Sequence, residues 1–220
     1  MEIMETTQER TVRKATLEVP EEVLQADLQR YVNKAIEFGA SDAKIIPADW
    51  VIVDERVRLK CYVPKCYAYG QSPYCPPNTP EPEFIRKALS RFKWAILVKH
   101  DVMPVEDFTG KGWAKAHSKH HRKIFEIIGK LESLASIEGY PLATGFAAGS
   151  CLHELCDGTG CRMINNGTCP HNLRARPSME AVGIDVYNLA ARVGWDIYAC
   201  HVPAGTPVPS AMSVGILFVY

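Results

Sequence analysis

Seven of the eight cysteines in this 220-residue chain fall into two short stretches. The first is Cys61-x4-Cys66-x8-Cys75, followed at once by Pro76-Pro77. The second is Cys151-x4-Cys156-x4-Cys161-x7-Cys169, followed by Pro170, and only Cys200 stands apart. A fold that accepts this pattern has to turn each stretch back on itself so that the thiols converge. Thiols gathered in threes and fours read as metal ligands, and a Cys-Pro closing such a group is a feature of iron–sulfur binding loops.

A [4Fe–4S] cube offers four irons, each needing one terminal ligand, and thiolate suits so soft a cluster better than carboxylate or imidazole. The second group supplies a full set in Cys151, Cys156, Cys161 and Cys169. Gly158, Gly160 and Gly167 lie between these ligands and permit the tight backbone that close approach to a cluster requires. The first group supplies three, Cys61, Cys66 and Cys75. Either a fourth ligand arrives from elsewhere or one iron stays open. Cys200 is the obvious distant candidate, with His201 and His100 as others. The alternative for Cys200 is a small buried hydrophobe, a common fate of a free cysteine.

Two rival readings of the cysteines are disulfides and structural zinc. Eight is an even number, but Met1-Glu2-Ile3-Met4-Glu5 leads into no apolar signal segment, and a chain of this length with 47% hydrophobic residues needs no disulfide staples. Structural zinc is the stronger rival. Zinc sites are usually built from C-x2–4-C pairs, which the x8 and x7 gaps do not match. The expected cofactors are therefore two [4Fe–4S] clusters, with zinc as the alternative.

The rest of the chain reads as a single mixed α/β domain over residues 16–220, behind a frayed polar terminus of residues 1–15. An amphipathic helix is predicted over 21–38, with Leu24, Leu28, Tyr31, Val32, Ala35 and Ile36 on its inner face. Strands follow at Ala43–Ile46 and Trp50–Val53. The first cysteine group lies in a loop from Cys61 to Pro80. A helix at Pro82–Phe92 turns Phe84, Ile85, Ala88 and Leu89 inward, and Trp94–Val98 is a buried strand. A long helix covers 112–138, and Ala143–Ala147 is a strand leading to Cys151. A short helix is expected at Arg176–Ala181. Asp185 caps another helix, and the last strands are Asp196–Cys200 and Val214–Tyr220. Both cysteine groups fall in connections, where a rigid scaffold displays functional groups.

The runs RLKCYVPKCYAYGQSPYCPP, GSCLHELCDGTGC…CP and ARPSMEAVGIDVYNLA together are similar to a family described as predicted metal-binding proteins, domain of unknown function 2284. The resemblance covers about Val57 to Val193 and implies metal binding on an α/β domain, with no reaction attached. Its cysteine motifs map onto Cys61, Cys66, Cys75, Cys151, Cys156, Cys161 and Cys169. It also implies an arginine directly after the last cysteine and a proline two positions on, where this chain has Pro170-His171-Asn172.

Weaker features complete the reading. His117 and His121 have i,i+4 ligand spacing but no zincin glutamate beside them, so His117, His120 and His121 are expected to form a solvated polar face. Arg162, Arg174 and Arg176 could offset the charge of thiolate-bound iron. Glu180 and Asp185 are candidate acid–base groups or simple helix-end charges. Tyr62, Tyr67, Tyr69 and Tyr74 could shield a cluster from water. The formal net charge of zero offers no field for nucleic acid, and no apolar run reaches the ~20 residues of a membrane span. The expected setting is a reducing, cytoplasmic one. Two functions follow: an electron carrier or redox accessory to a partner protein, or an enzyme that binds a small anionic substrate at an open iron. A zinc-stabilised interaction protein is a third. Whether the chain is an enzyme stays open at this point, since no nucleophile motif, phosphate loop or dinucleotide fingerprint is present.

Overall fold

The structure, a computed structural model, describes residues 12–16, 18–109, 116–199, 202–203 and 205–220. Alternating apolar residues make its centre. Strand β2 (Trp94–Asp101) pairs antiparallel with β1 (Asp42–Pro47) on one side and with β4 (Met212–Phe218) on the other, and β3 (Thr144–Phe146) adds to the far edge of β4. The sheet order is β1-β2-β4-β3. Side chains alternate across a strand, so a run such as Ala95-Ile96-Leu97-Val98 feeds two faces. Ile96, Val98 and Leu217 point into one core with the helices α1 (Glu21–Glu37) and α5 (Ser118–Ile137). Ala95, Leu97, Val214, Ile216 and Phe218 point into a second core with α3 (Pro82–Leu89) and α8 (Val186–Arg192). Four short helices complete the set among the described residues: α2 (Glu55–Leu59), α4 (Glu106–Thr109), α6 (Cys151–Leu155) and α7 (Arg162–Asn166). The mixed α/β expectation holds, with an entirely antiparallel sheet covered by helices on both faces.

α5 lies close to the sheet because two strand positions have no side chain. A Cβ on Gly215 would come within 2.7 Å of Ile124 Cγ2 and 2.9 Å of Ile128 Cγ1. This approach fixes the helix that later carries the cysteine region.

Several sequence expectations are corrected. Ile36 is 46% exposed and Phe84 is 61% exposed, although both were assigned inner positions. On α1 the buried line is Leu24, Leu28, Tyr31 and Ala35, and Ile36 lies about 100° round the helix from it. On α3 the buried line is Pro82, Ile85 and Leu89, which leaves Phe84 to the side. Residues 48–50 form a 3-10 turn rather than the start of a strand, and Val53 makes one bridge to Ile184. The expected strand at Asp196–Cys200 forms no strand pairing over its described residues 196–199; Cys200 itself, like His201 and residues 112–115 of the expected long helix, lies outside the described residues. The expected helix at Arg176–Ala181 is a 3-10 turn over Glu180–Val182, after a bridge between Ala147 and Ser178. The N-terminal expectation falls mainly on residues 1–11, outside the described residues. Arg13 is tied down, its backbone donating to Ile137 and its guanidinium pairing with Asp27.

Candidate metal centre

The first cysteine group occupies a succession of turns between α2 and α3. Cys61 follows α2 directly, its amide donating to the Arg58 carbonyl at 2.9 Å, and the Cys66 amide donates back to the Cys61 carbonyl at 3.0 Å. Cys75 donates into the Ser72 turn, and Asn78 Nδ2 holds the Ser72 carbonyl at 2.9 Å. Arg58, almost fully buried, anchors the region by pairing with Glu81 at 2.8 Å.

The second group lies not in a plain loop but on two short helices. Cys151 opens α6, Cys156 closes it, Cys161 precedes α7, and Cys169 follows it. Gly158, Gly160 and Gly167 all have positive φ, as expected of glycines in a chain that turns sharply between ligands. Cys151, Cys156, Cys161 and Cys169 line one cavity, closed on its other side by Pro73 and Tyr74 from the first group's segment. The cavity holds about 330 Å³ of atom-free space, part of it open to solvent.

The two groups adjoin. Cys75 Sγ lies 3.5 Å from the hydroxyl of Ser150, the residue before Cys151. Burial, with the charge of Cys75, Cys161 and Cys156 adding to it, pushes the Cys151 thiol up to about 12. Burial likewise raises Cys61 to about 11, with charge on Cys66 and Cys75 adding to it. Cys75 and Cys156 are raised too, first by burial. The seven described cysteines are all free. Buried thiols that repel each other's charge hold their protons near neutral pH until a cation displaces them. This donor set therefore fits a thiolate-bound metal group.

Arg162 and Tyr74 line the cysteine cavity, and the other candidate supporting residues have different partners. Arg176 does not face the thiols: it pairs with Glu132 of α5 through Nε at 2.9 and 3.0 Å and donates to the carbonyls of Asn172 and Ala175. It clamps the segment leaving Cys169 onto α5. Arg174 contacts His171, and Arg162 lines the cysteine cavity. Asp185 is an N-cap, accepting from the Asn188 amide at 3.0 Å. Tyr62 packs edge-on against Tyr69, and Tyr67 against His153. His100 lies 3.4 Å from His120, which in turn contacts Asp107 at 2.8 Å, so among the described residues its partners are not cysteines.

The histidines of α5 are the clearest correction. His117 and His120 are buried, not solvated, and His121 is half-buried. Glu154, which sequence reasoning passed over, is fully buried beside His117 and His121. The i,i+4 histidine pair was visible in the sequence; its carboxylate partner, 33 residues beyond His121, was not.

No helix among the described residues is long and apolar enough to cross a membrane. Comparison with curated proteins and with solved structures finds no match. The family model for predicted metal-binding proteins, domain of unknown function 2284, matches residues 44–218, a span that holds both cysteine groups and the helices and strands that carry them. The chain belongs to that predicted metal-binding family.

Proposed function

We propose that the protein is an iron–sulfur protein that holds two [4Fe–4S] clusters and passes electrons to a partner protein. The observation that carries this reading is the single cavity lined by all four thiols of the second group. Cys151, Cys156, Cys161 and Cys169 would hold one cluster, and Cys61, Cys66 and Cys75 a second. The x8 and x7 gaps along the chain favour a cluster over zinc, whose sites are usually built from C-x2–4-C pairs. Contact between Cys75 and Ser150 keeps the two groups adjacent, which suits transfer between clusters.

A second reading is an enzyme with an open iron in the three-cysteine cluster: the first group supplies only Cys61, Cys66 and Cys75, and an iron left without a thiolate would take a small anionic substrate as a Lewis acid.

Replacing Cys156 or Cys161 by Ala tests the ligand assignment. Each variant is expected to lose about half of the iron and acid-labile sulfide. Unchanged iron in both variants would refute the assignment.

A further inference from the structure

A second set of metal-ligating side chains, none of them a cysteine, meets where α5 begins beside α6. His117 and His121 stand one helical turn apart at the start of α5, and Glu154 of α6 faces them. Glu154 Oε1 lies 3.3 Å from Nδ1 of His121 and 4.0 Å from Nε2 of His117. All three ligand atoms fall within 4.8 Å of one another. The Glu154 side chain is 1% exposed. Its other oxygen, Oε2, is buried with no hydrogen-bond partner among the described residues. A buried carboxylate oxygen without a donor is costly unless a cation supplies the missing partner. The nearby arginine does not: Arg122 Nε donates to the Glu154 backbone carbonyl at 2.6 Å, and its Nη2 to Asp157 at 3.0 Å.

The surroundings leave room for an ion. Gly149 has φ +71°, and a Cβ there would come within 2.5 Å of His121 Nδ1 and 2.8 Å of Glu154 Oε1. Phe108 packs edge-on against both imidazoles, with ring centroids at 5.8 and 5.5 Å, and excludes water on that side. His121 also lines a cleft of about 640 Å³ of atom-free space, part of it open to solvent, together with Glu180, Tyr187 and Asp196.

We propose that His117, His121 and Glu154 form a mononuclear site for a divalent first-row cation, zinc or ferrous iron, with its exchangeable position toward the cleft. Two imidazoles and one carboxylate are a donor set that both ions accept with a position left open. The site stands whatever the cysteines hold.

Equilibrium dialysis of the anaerobically prepared full chain against Zn²⁺, followed by zinc-edge X-ray absorption, tests it. The expected result is one zinc per chain bound by nitrogen and oxygen at about 2.0–2.1 Å, without sulfur at about 2.3 Å. Glu154→Gln and His121→Ala should each weaken zinc retention at least about tenfold. Glu154→Gln should leave iron and sulfide content unchanged, which separates this site from the cysteine reading, and Asp157→Asn should retain zinc. Zinc bound only through sulfur, no zinc retained, or wild-type retention by Glu154→Gln would each overturn the proposal.

Discussion

Asp27 shows how a single buried carboxylate organises the N-terminal part of the chain. It is 6% exposed and accepts from Arg13, from Arg30 at 2.7 Å and from the Tyr140 hydroxyl at 2.7 Å. Burial opposes its charge, but these three donors outweigh burial and hold the carboxyl below its ordinary value of 3.8. Its contribution to stability is therefore fully present above about pH 4 and is lost as pH falls through the lower folded value. Asp27→Asn should cost about 2 kcal/mol in urea unfolding at pH 7 and flatten the acid limb of the stability curve; a variant as stable as wild type at pH 7 would contradict the assigned role. The network as a whole was not legible in the sequence, because Asp27 and its Tyr140 donor lie 113 residues apart. The cysteines were legible, since ligand spacing is written along the chain. The histidines misled because polar residues at helical spacing look solvated until the chain brings a carboxylate such as Glu154 to them.

At the scale of elements, α5 is the beam to which the cysteine region is fastened. Its inner face meets the sheet at Gly215, its Glu132 holds Arg176, and its Arg122 holds the C-terminal end of α6. Gly215→Ala should overpack this contact and destabilise the protein by about 1–3 kcal/mol, measured by chemical denaturation. Arg176→Ala leaves Glu132 largely buried without its partner and should cost about 3 kcal/mol; the same variant should release iron faster under chelation, because the segment leaving Cys169 loses its clamp. An iron-release rate equal to wild type would show that the clamp serves the fold alone. Elements with a long apolar period, α1, α3 and the core of β2, could be read from the sequence. The misread segments are short: Trp50–Val53 carries strand-forming residues but leaves the sheet after Pro47, and residues 196–199 alternate like a strand yet line the cleft. Their conformation depends on which neighbours arrive, and local pattern does not encode that.

The whole molecule separates a sheet covered by helices from a cysteine-bearing region with few long elements. Both sheet faces are covered by helices, so the core needs no metal to bury its apolar residues. Residues 61–80 and 151–175 hold few elements of any length, and their buried thiols repel one another's charge. Metal removal should therefore speed amide hydrogen exchange across these two segments while β2 and β4 stay protected; uniform loss of protection would show that the core also depends on the metal. The central claim, that thiols brought together from two stretches hold iron–sulfur clusters, is tested most directly by metal and sulfide analysis of anaerobically purified protein combined with EPR after reduction. Two clusters predict about eight irons and eight acid-labile sulfides per chain, with cluster signals in the reduced protein. Stoichiometric zinc with no acid-labile sulfide would contradict it.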